Sequence, residues 1–209
     1  MNISTIRNLL ERRKGQRSQL EQSISNIEED MVKLKRSLRR HEKAREIILS
    51  VGLETQRQLQ FHISNITTLA LEAVFNDPYE LKVDFVERRN KTECDITFVR
   101  DDLQIDPIRD SGIGAVDVAS FALRIASWSM SSPRTRPCLI LDEPFKHLKG
   151  IEENRKVLQM INELSKKLGL QIIMISDERI PREDIIENAD RVFEVTNHNG
   201  KSKVKQLGL

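Results

Sequence analysis

Stepping alternately three and four residues from Ile3 lands on Ile6, Leu10, Arg13, Arg17, Leu20, Ile24, Ile27, Met31, Leu34, Leu38, His41, Arg45 and Ile48. Ten of these fourteen positions are apolar. An apolar residue every 3.5 residues, sustained this long, describes a coiled-coil seam; a helix on a globular core presents a wider stripe. The first fifty residues therefore need a second helix to cover them. No second heptad run of similar length follows, so a hairpin within this chain is not expected. A homodimeric coil or a coil with a second polypeptide remains, and a generic dimerisation stalk fits the periodicity as well as a specialised arm does. Residues 7–18 are polar and interrupt the seam at Arg13 and Arg17. His41 and Arg45 are read as register-setting or fraying positions, not as ligands.

Composition agrees with a partly elongated chain: 32% of the 209 residues are charged and 4% are aromatic, as expected where much helical surface is exposed. The formal net charge of +2 excludes a uniformly basic coat for nucleic acid and leaves only a local patch. Residues 1–50 hold twelve Lys or Arg against seven Asp or Glu. Lys35, Arg36, Arg39, Arg40 and Lys43, followed by Arg45, form the densest cluster; they are candidates for DNA contact, although a charge run on a coil is commonly a solvated face. Cys94 and Cys138 lack any Cys-x-x-Cys or Cys/His ligand spacing and are expected to be two buried, reduced thiols. No apolar core of signal-peptide length and no run of ~20 apolar residues occurs, so a soluble, cytoplasmic protein without a membrane segment is expected.

After Gly52 the helical pattern resumes through Leu59, Ile63, Ile66, Leu69, Ala70, Ala73 and Val74, then stops at Asn76-Asp77-Pro78. The chain is thus divided into a coiled-coil arm (1–52), a helix docking the arm (53–78) and a lobe (79–209). From Tyr79 the period changes to two, and the segments around Leu81–Phe85 and Cys94–Phe98 predict an antiparallel ribbon with a charged turn, facing solvent at the edge of a larger fold. Asp110-Ser111-Gly112-Ile113-Gly114 then opens a helix with apolar residues at Val118, Phe121, Ala122, Ile125 and Trp128. Small residues at a helix mouth leave backbone N–H groups bare where the dipole favours an anion, though Ser and Gly are also ordinary caps.

The run Cys138-Leu139-Ile140-Leu141-Asp142-Glu143-Pro144 reads as a fully buried strand with two carboxylates at its carboxyl end, where ligands bind in open α/β sheets. An Asp there can hold Mg²⁺ and an adjacent Glu can orient or deprotonate a water. An amphipathic helix over 151–168 capped by Gly169, a second buried strand Leu170–Ile175 ending in Ser176-Asp177-Glu178, a short helix near Arg182–Glu187, a strand at Arg191–Val195 and an Asn-Gly turn before Val204 complete an α/β pattern.

The order of these parts resembles the carboxy-terminal half of SMC-like ABC ATPases, the class of chromosome-maintenance and double-strand-break-repair coiled-coil ATPases. The resemblance runs from about Thr55 to the end, and implies the ABC-ATPase carboxy-terminal lobe, a mixed sheet with covering helices. It assigns Ser111, Gly112 and Gly114 to the signature motif, which in the family meets ATP bound on the opposite subunit. Asp142 falls to Walker B on the Mg²⁺ side, Glu143 to the catalytic carboxylate, Pro144–Lys149 to the D-loop and Ser176-Asp177 to the switch. The sequence departs from the family where Ile113 separates the glycines, where Lys149 replaces the D-loop Asp, and where Asp177 stands in place of the switch His.

No G-x-x-x-x-G-K-[ST] phosphate loop occurs, and without its glycine cradle and Lys a single copy cannot grip the β- and γ-phosphates. ATP hydrolysis with Mg²⁺ is therefore expected only where a partner supplies that lobe, in a role in DNA repair, recombination or maintenance. The alternative is a catalytically inactive interaction or regulatory protein that mimics or inhibits an SMC-like complex.

Overall fold

The computed structural model describes residues 3–89, 91–176 and 179–207, which divide into two compact units, Met1–Thr55 and Gln56–Leu209. Helix α1 is continuous over Ile3–Val74. Gly52 does not interrupt it: a single glycine costs a helix only ~1 kcal/mol relative to Ala, and no proline falls between Ile3 and Val74. Within the first unit every apolar seam position is exposed.

In the second unit the final turns of α1 supply Thr67, Ala70, Leu71 and Val74 to the core. These four fall at i, i+3, i+4 and i+7, one helix face, so Leu69 and Ala73, expected to share the apolar stripe, are exposed. The chain then enters β1 (Glu80–Arg88), which pairs antiparallel with β2 (Lys91–Arg100); β2 pairs in turn with β3 (Leu103–Ile105). The ribbon is thus three-stranded; its turn end is exposed, as expected, while its base is buried. Leu81 lies opposite Phe98, and these two with Val83 are buried under α1 and α2 (Ile113–Met130) in one cluster. The Thr68 hydroxyl accepts the Leu81 N–H at 2.9 Å, and Tyr79 stacks on Phe98 at 5.1 Å between ring centroids.

Strand β4 (Cys138–Asp142) pairs parallel with β5 (Gln171–Ile175), joined by α3 (Ile151–Leu168). Glu152 and Glu153 in the first turn of α3 and Lys166 and Lys167 in its last complement the helix dipole. Gly169 takes the left-handed conformation that ends α3. Helix α4 (Arg182–Asn188) is tied to α3 by Arg155, which donates to the buried Asp184 at 3.1 Å. The chain closes on the hairpin of β6 (Val192–His198) and β7 (Lys201–Leu207), turned at Asn199-Gly200, both with positive φ.

Two burial expectations are corrected. Cys94 is exposed and Cys138 half-buried, both as free thiols; Cys94 sits far along β2 from the core residue Phe98. Strands β4 and β5 are also covered on one face only. Leu141 is buried and Leu139, Ile172 and Met174 pack against the core, whereas Ile140 is 75% exposed, Ile173 48% and Ile175 56%. A four-residue apolar run cannot by itself distinguish a strand covered on both sides from one whose second cover lies elsewhere.

Candidate functional site

The register of β4 and β5 fixes what shares a face with what. Ile140 lies beside Ile173, and Asp142 beside Ile175. Because side chains alternate along a strand, Asp142 emerges on the same side as Ile140, Ile173 and Ile175, and all four are exposed. The carboxylate expected to hold Mg²⁺ therefore stands at the end of an uncovered apolar surface.

At Glu143 the chain leaves the strand. Its N–H donates to the Ile175 carbonyl at 3.1 Å, extending the ladder by one bond, and its φ of 40° then turns the backbone sharply. Left-handed backbone at a residue with a Cβ costs ~1–2 kcal/mol, and here it presents an exposed carboxylate directly beyond the strand end. Pro144 to Lys149 follow as a tight turn, with Lys146 N–H to Glu143 O at 3.3 Å and Leu148 N–H to Phe145 O at 3.0 Å. Phe145 and Leu148 are buried, Lys149 exposed.

The Ser111–Gly114 segment is delivered by a turn built on Asp106. One Asp106 oxygen accepts the N–H groups of Ile108 and Arg109 at 2.9 and 3.1 Å. These bonds to the charged form, that from Ile108 foremost, hold the Asp106 carboxyl below the usual carboxylate range. The Ser111 hydroxyl donates to the Pro107 carbonyl, so it does not cap α2. Gly112 is the N-cap, with no side chain to bond the first-turn N–H groups, and a Cβ there would meet nothing within 4 Å. Gly114 differs. A Cβ would lie 3.1 Å from Leu148 Cδ1 and 3.3 Å from His147 O, so a side chain at the second glycine would crowd the close approach of α2 to the turn after Glu143.

That approach is reinforced by residues that sequence reasoning missed. Asp117 on α2 accepts the His147 N–H at 3.0 Å and lies 3.1 Å from His147 Nδ1. Phe121 meets Phe145 edge-on at 5.5 Å, and Arg179 donates to the Lys146 carbonyl. A carboxylate between Val116 and Val118, the one acidic residue of a largely apolar helix, was the available signal for Asp117. Nothing local marked Arg179. Of the switch segment, Ser176 is described and Asp177 lies outside the described residues. Lys35, Arg36, Arg39, Arg40 and Lys43 are exposed on α1, with Arg36, Arg40 and Lys43 at i, i+4 and i+7. Among the described residues no helix is long and apolar enough to cross a membrane.

No protein-family model and no curated protein matches the sequence. Solved structures do match the fold. A chain from work on ATP-driven dimerization and DNA-stimulated activation of SMC ATPases aligns over 73% of this chain and 87% of its own, with TM-score 0.55 and 21% identity. The Smc head bound to the C-winged helix domain of ScpA aligns over 77% of this chain and 45% of its own, TM-score 0.56, at 21% identity. The Pyrococcus yayanosii Smc head with a coiled coil and joint aligns over 99% of this chain and 37% of its own, TM-score 0.55, at 18% identity. The chain thus has the fold of SMC head domains, and spans less than half the length of the two heads.

Proposed function

We propose that this chain supplies the signature and Walker B elements of an SMC-like ATPase that acts in DNA repair, recombination or maintenance. A phosphate-loop lobe from outside residues 1–209 completes its nucleotide site. The supporting observation is the placement of Asp142 on the uncovered apolar face with Ile140, Ile173 and Ile175. A lobe seated there would bury the face and bring its phosphate-binding loop to the carboxylates.

In this reading Asp142 holds Mg²⁺, an ion commonly bound by one or two carboxylates together with nucleotide phosphates. Glu143 orients or deprotonates the attacking water. Ser111 and Gly112, the latter with open surroundings, meet ATP held by an opposing subunit, while Gly114 lies at the approach of α2. The basic cluster Lys35, Arg36, Arg39, Arg40 and Lys43 is the candidate DNA contact on the arm.

Purification of the chain with its associated proteins from the native host, followed by intact-complex mass measurement, tests the assignment. A co-purifying protein with a G-x-x-x-x-G-K-[ST] loop is expected, and the complex should hydrolyse ATP. Glu143→Gln should lower turnover ~10²–10⁴-fold and trap nucleotide. Background hydrolysis with every co-purifying protein present, or full activity of Glu143→Gln, would remove the reading.

A further inference from the structure

The turn after Glu143 carries two cations that the folded chain does not use. Two successive i→i+3 bonds shape it, Lys146 N–H to Glu143 O at 3.3 Å and Leu148 N–H to Phe145 O at 3.0 Å. At three residues per turn, side chains three apart lie on one side. Phe145 and Leu148 accordingly share the side buried in the core. By the same spacing Lys146 and Lys149 share another, and both are exposed, as is Glu143. His147 between them is committed to Asp117.

Neither lysine has an ion-pair partner among the described residues, although acids lie close in the chain: Glu143 is three positions before Lys146, and Glu152 three after Lys149. Glu152 turns instead to Arg155, at 3.9 Å. The backbone that carries the two lysines is nonetheless fixed from three directions. Asp117 accepts the His147 N–H, and Arg179 donates to the Lys146 carbonyl. The buried Asn154 donates to the Leu148 and Gly150 carbonyls at 3.1 and 2.7 Å. A solvated loop needs no such anchoring, whereas a binding element gains from it, because less order is lost when the ligand arrives.

The charges around the turn select the ligand. Exposed carboxylates at Asp142 and Glu143 stand beside two unpaired ammonium groups, with the Arg179 guanidinium on the turn's own backbone. A polyphosphate carrying Mg²⁺ satisfies both signs at once: the carboxylates take the metal, and the ammonium groups take phosphate oxygens that the metal leaves. An acidic peptide, which brings no metal, would meet Asp142 and Glu143 as repelling charges. We infer that Lys146 and Lys149 bind the phosphates of a Mg²⁺-polyphosphate held at Asp142 and Glu143. The turn is then a second phosphate-binding element, beside the loop expected of the outside lobe. This rests on the reading of Asp142 and Glu143 as a nucleotide site.

The test follows the amide resonances of the full chain as inorganic tripolyphosphate with Mg²⁺ is added. Held from this side of the site alone, the probe should bind in the millimolar range, with saturable shifts at residues 145–150. Lys146→Ala with Lys149→Ala should weaken binding at least ~10-fold, and Lys146→Arg with Lys149→Arg should retain it. Both positions are exposed, where substitutions change stability little, and an unaltered remainder of the spectrum verifies the fold. Lys201→Ala with Lys203→Ala, at exposed lysines of β7, should bind as the parent does. No saturable shift in the turn overturns the inference, as does a double alanine variant that binds like the parent. An equal loss from the β7 variant also overturns it, because the probe would then be answering to overall charge. Hydrolysis in the co-purified complex tests the nucleotide site separately. Lysine-dependent binding with only background hydrolysis leaves the phosphate site and removes the ATPase reading. Hydrolysis that needs Glu143, with no lysine-dependent binding, does the reverse.

Discussion

Asp117 and His147, thirty residues apart in sequence, are joined twice: the carboxylate accepts the His147 N–H at 3.0 Å and lies 3.1 Å from the imidazole Nδ1. The Asp117 side chain is only 17% exposed, so few waters compete for it. With Arg179 bonded to the adjacent Lys146 carbonyl, the turn after Glu143 is held at successive residues by α2 on one side and by the chain beyond β5 on the other. Displacement of α2 would therefore be felt at the carboxylate of Glu143, proposed as catalytic in this chain.

Asp117→Ala should lower stability by ~1–3 kcal/mol, the range for losing hydrogen bonds to a charged acceptor and leaving a donor unpaired. Urea denaturation measures the loss, and hydrogen exchange should find the amides of His147 and its neighbours less protected. Asp117→Asn, whose amide oxygen can still accept the His147 N–H, should lose less. Equal effects from the two variants would mean that the carboxylate acts through charge and not through this bond.

The two glycines at the start of α2 should respond oppositely to a side chain. Gly114→Ala forces a Cβ to 3.3 Å from backbone atoms of His147 and Leu148, and overpacking of this kind costs ~1–3 kcal/mol. Gly112→Ser enters open space at an N-cap, where a hydroxyl can bond a first-turn N–H, so stability should hold or rise by up to ~1 kcal/mol. Thermal melts of both variants decide it; a Gly114→Ala protein as stable as the parent would contradict the close approach.

Elements with a strong period were legible in the sequence: the seam of α1, the alternation around Leu81 and Phe98, the amphipathic α3 with its Gly169 cap. Each rests on local spacing that short-range physics enforces. What escaped depended on residues distant in the chain. Whether Ile140 is covered is decided by which elements pack against β4, and the run Cys138–Leu141 carries no mark of that. Asp117 acts through a partner thirty positions away, and β3 is three residues long, too short for its alternation to register. The role of Gly114 was hidden for a related reason: a glycine needed for helix–loop contact and one needed for a ligand look alike until the neighbour is known.

Acid should loosen the turn that delivers Ser111 only below the pH at which ordinary carboxylates are protonated. The Asp106 pKa is lowered by the N–H groups of Ile108 and Arg109, with Arg109's charge a smaller contribution. Its folded value lies below its unfolded one, so its contribution is complete above the usual Asp value of ~3.9 and is lost as pH falls through the lower folded value. The Ile108 and Arg109 amide resonances should therefore titrate together with a midpoint below ~3.9. Asp106→Asn should keep both bonds in part and remove the titration. A midpoint at or above the ordinary Asp value would show that the turn does not rest on this carboxylate.

The uncovered face of β4 and β5 separates folding from partnership within a single strand. Ile140 is 75% exposed, so Ile140→Lys changes a surface position and should alter the isolated chain's stability by no more than ~0.5 kcal/mol. Its neighbour Leu141 is 2% exposed, and Leu141→Ala should cost ~2–5 kcal/mol through the cavity it leaves. If a phosphate-loop lobe seats on this face, the order reverses for association. A lysine at 140 would be driven into an apolar interface beside Ile173, and losses of ~2–4 kcal/mol are typical where a central interface residue is removed, equivalent to ~30- to 1,000-fold in affinity. Leu141, pointing to the chain's own core, should affect association only as far as it unfolds the lobe. Chemical denaturation of the isolated variants, paired with titration calorimetry against the co-purified lobe, reads both quantities. An Ile140→Lys protein that binds as tightly as the parent would place the lobe elsewhere.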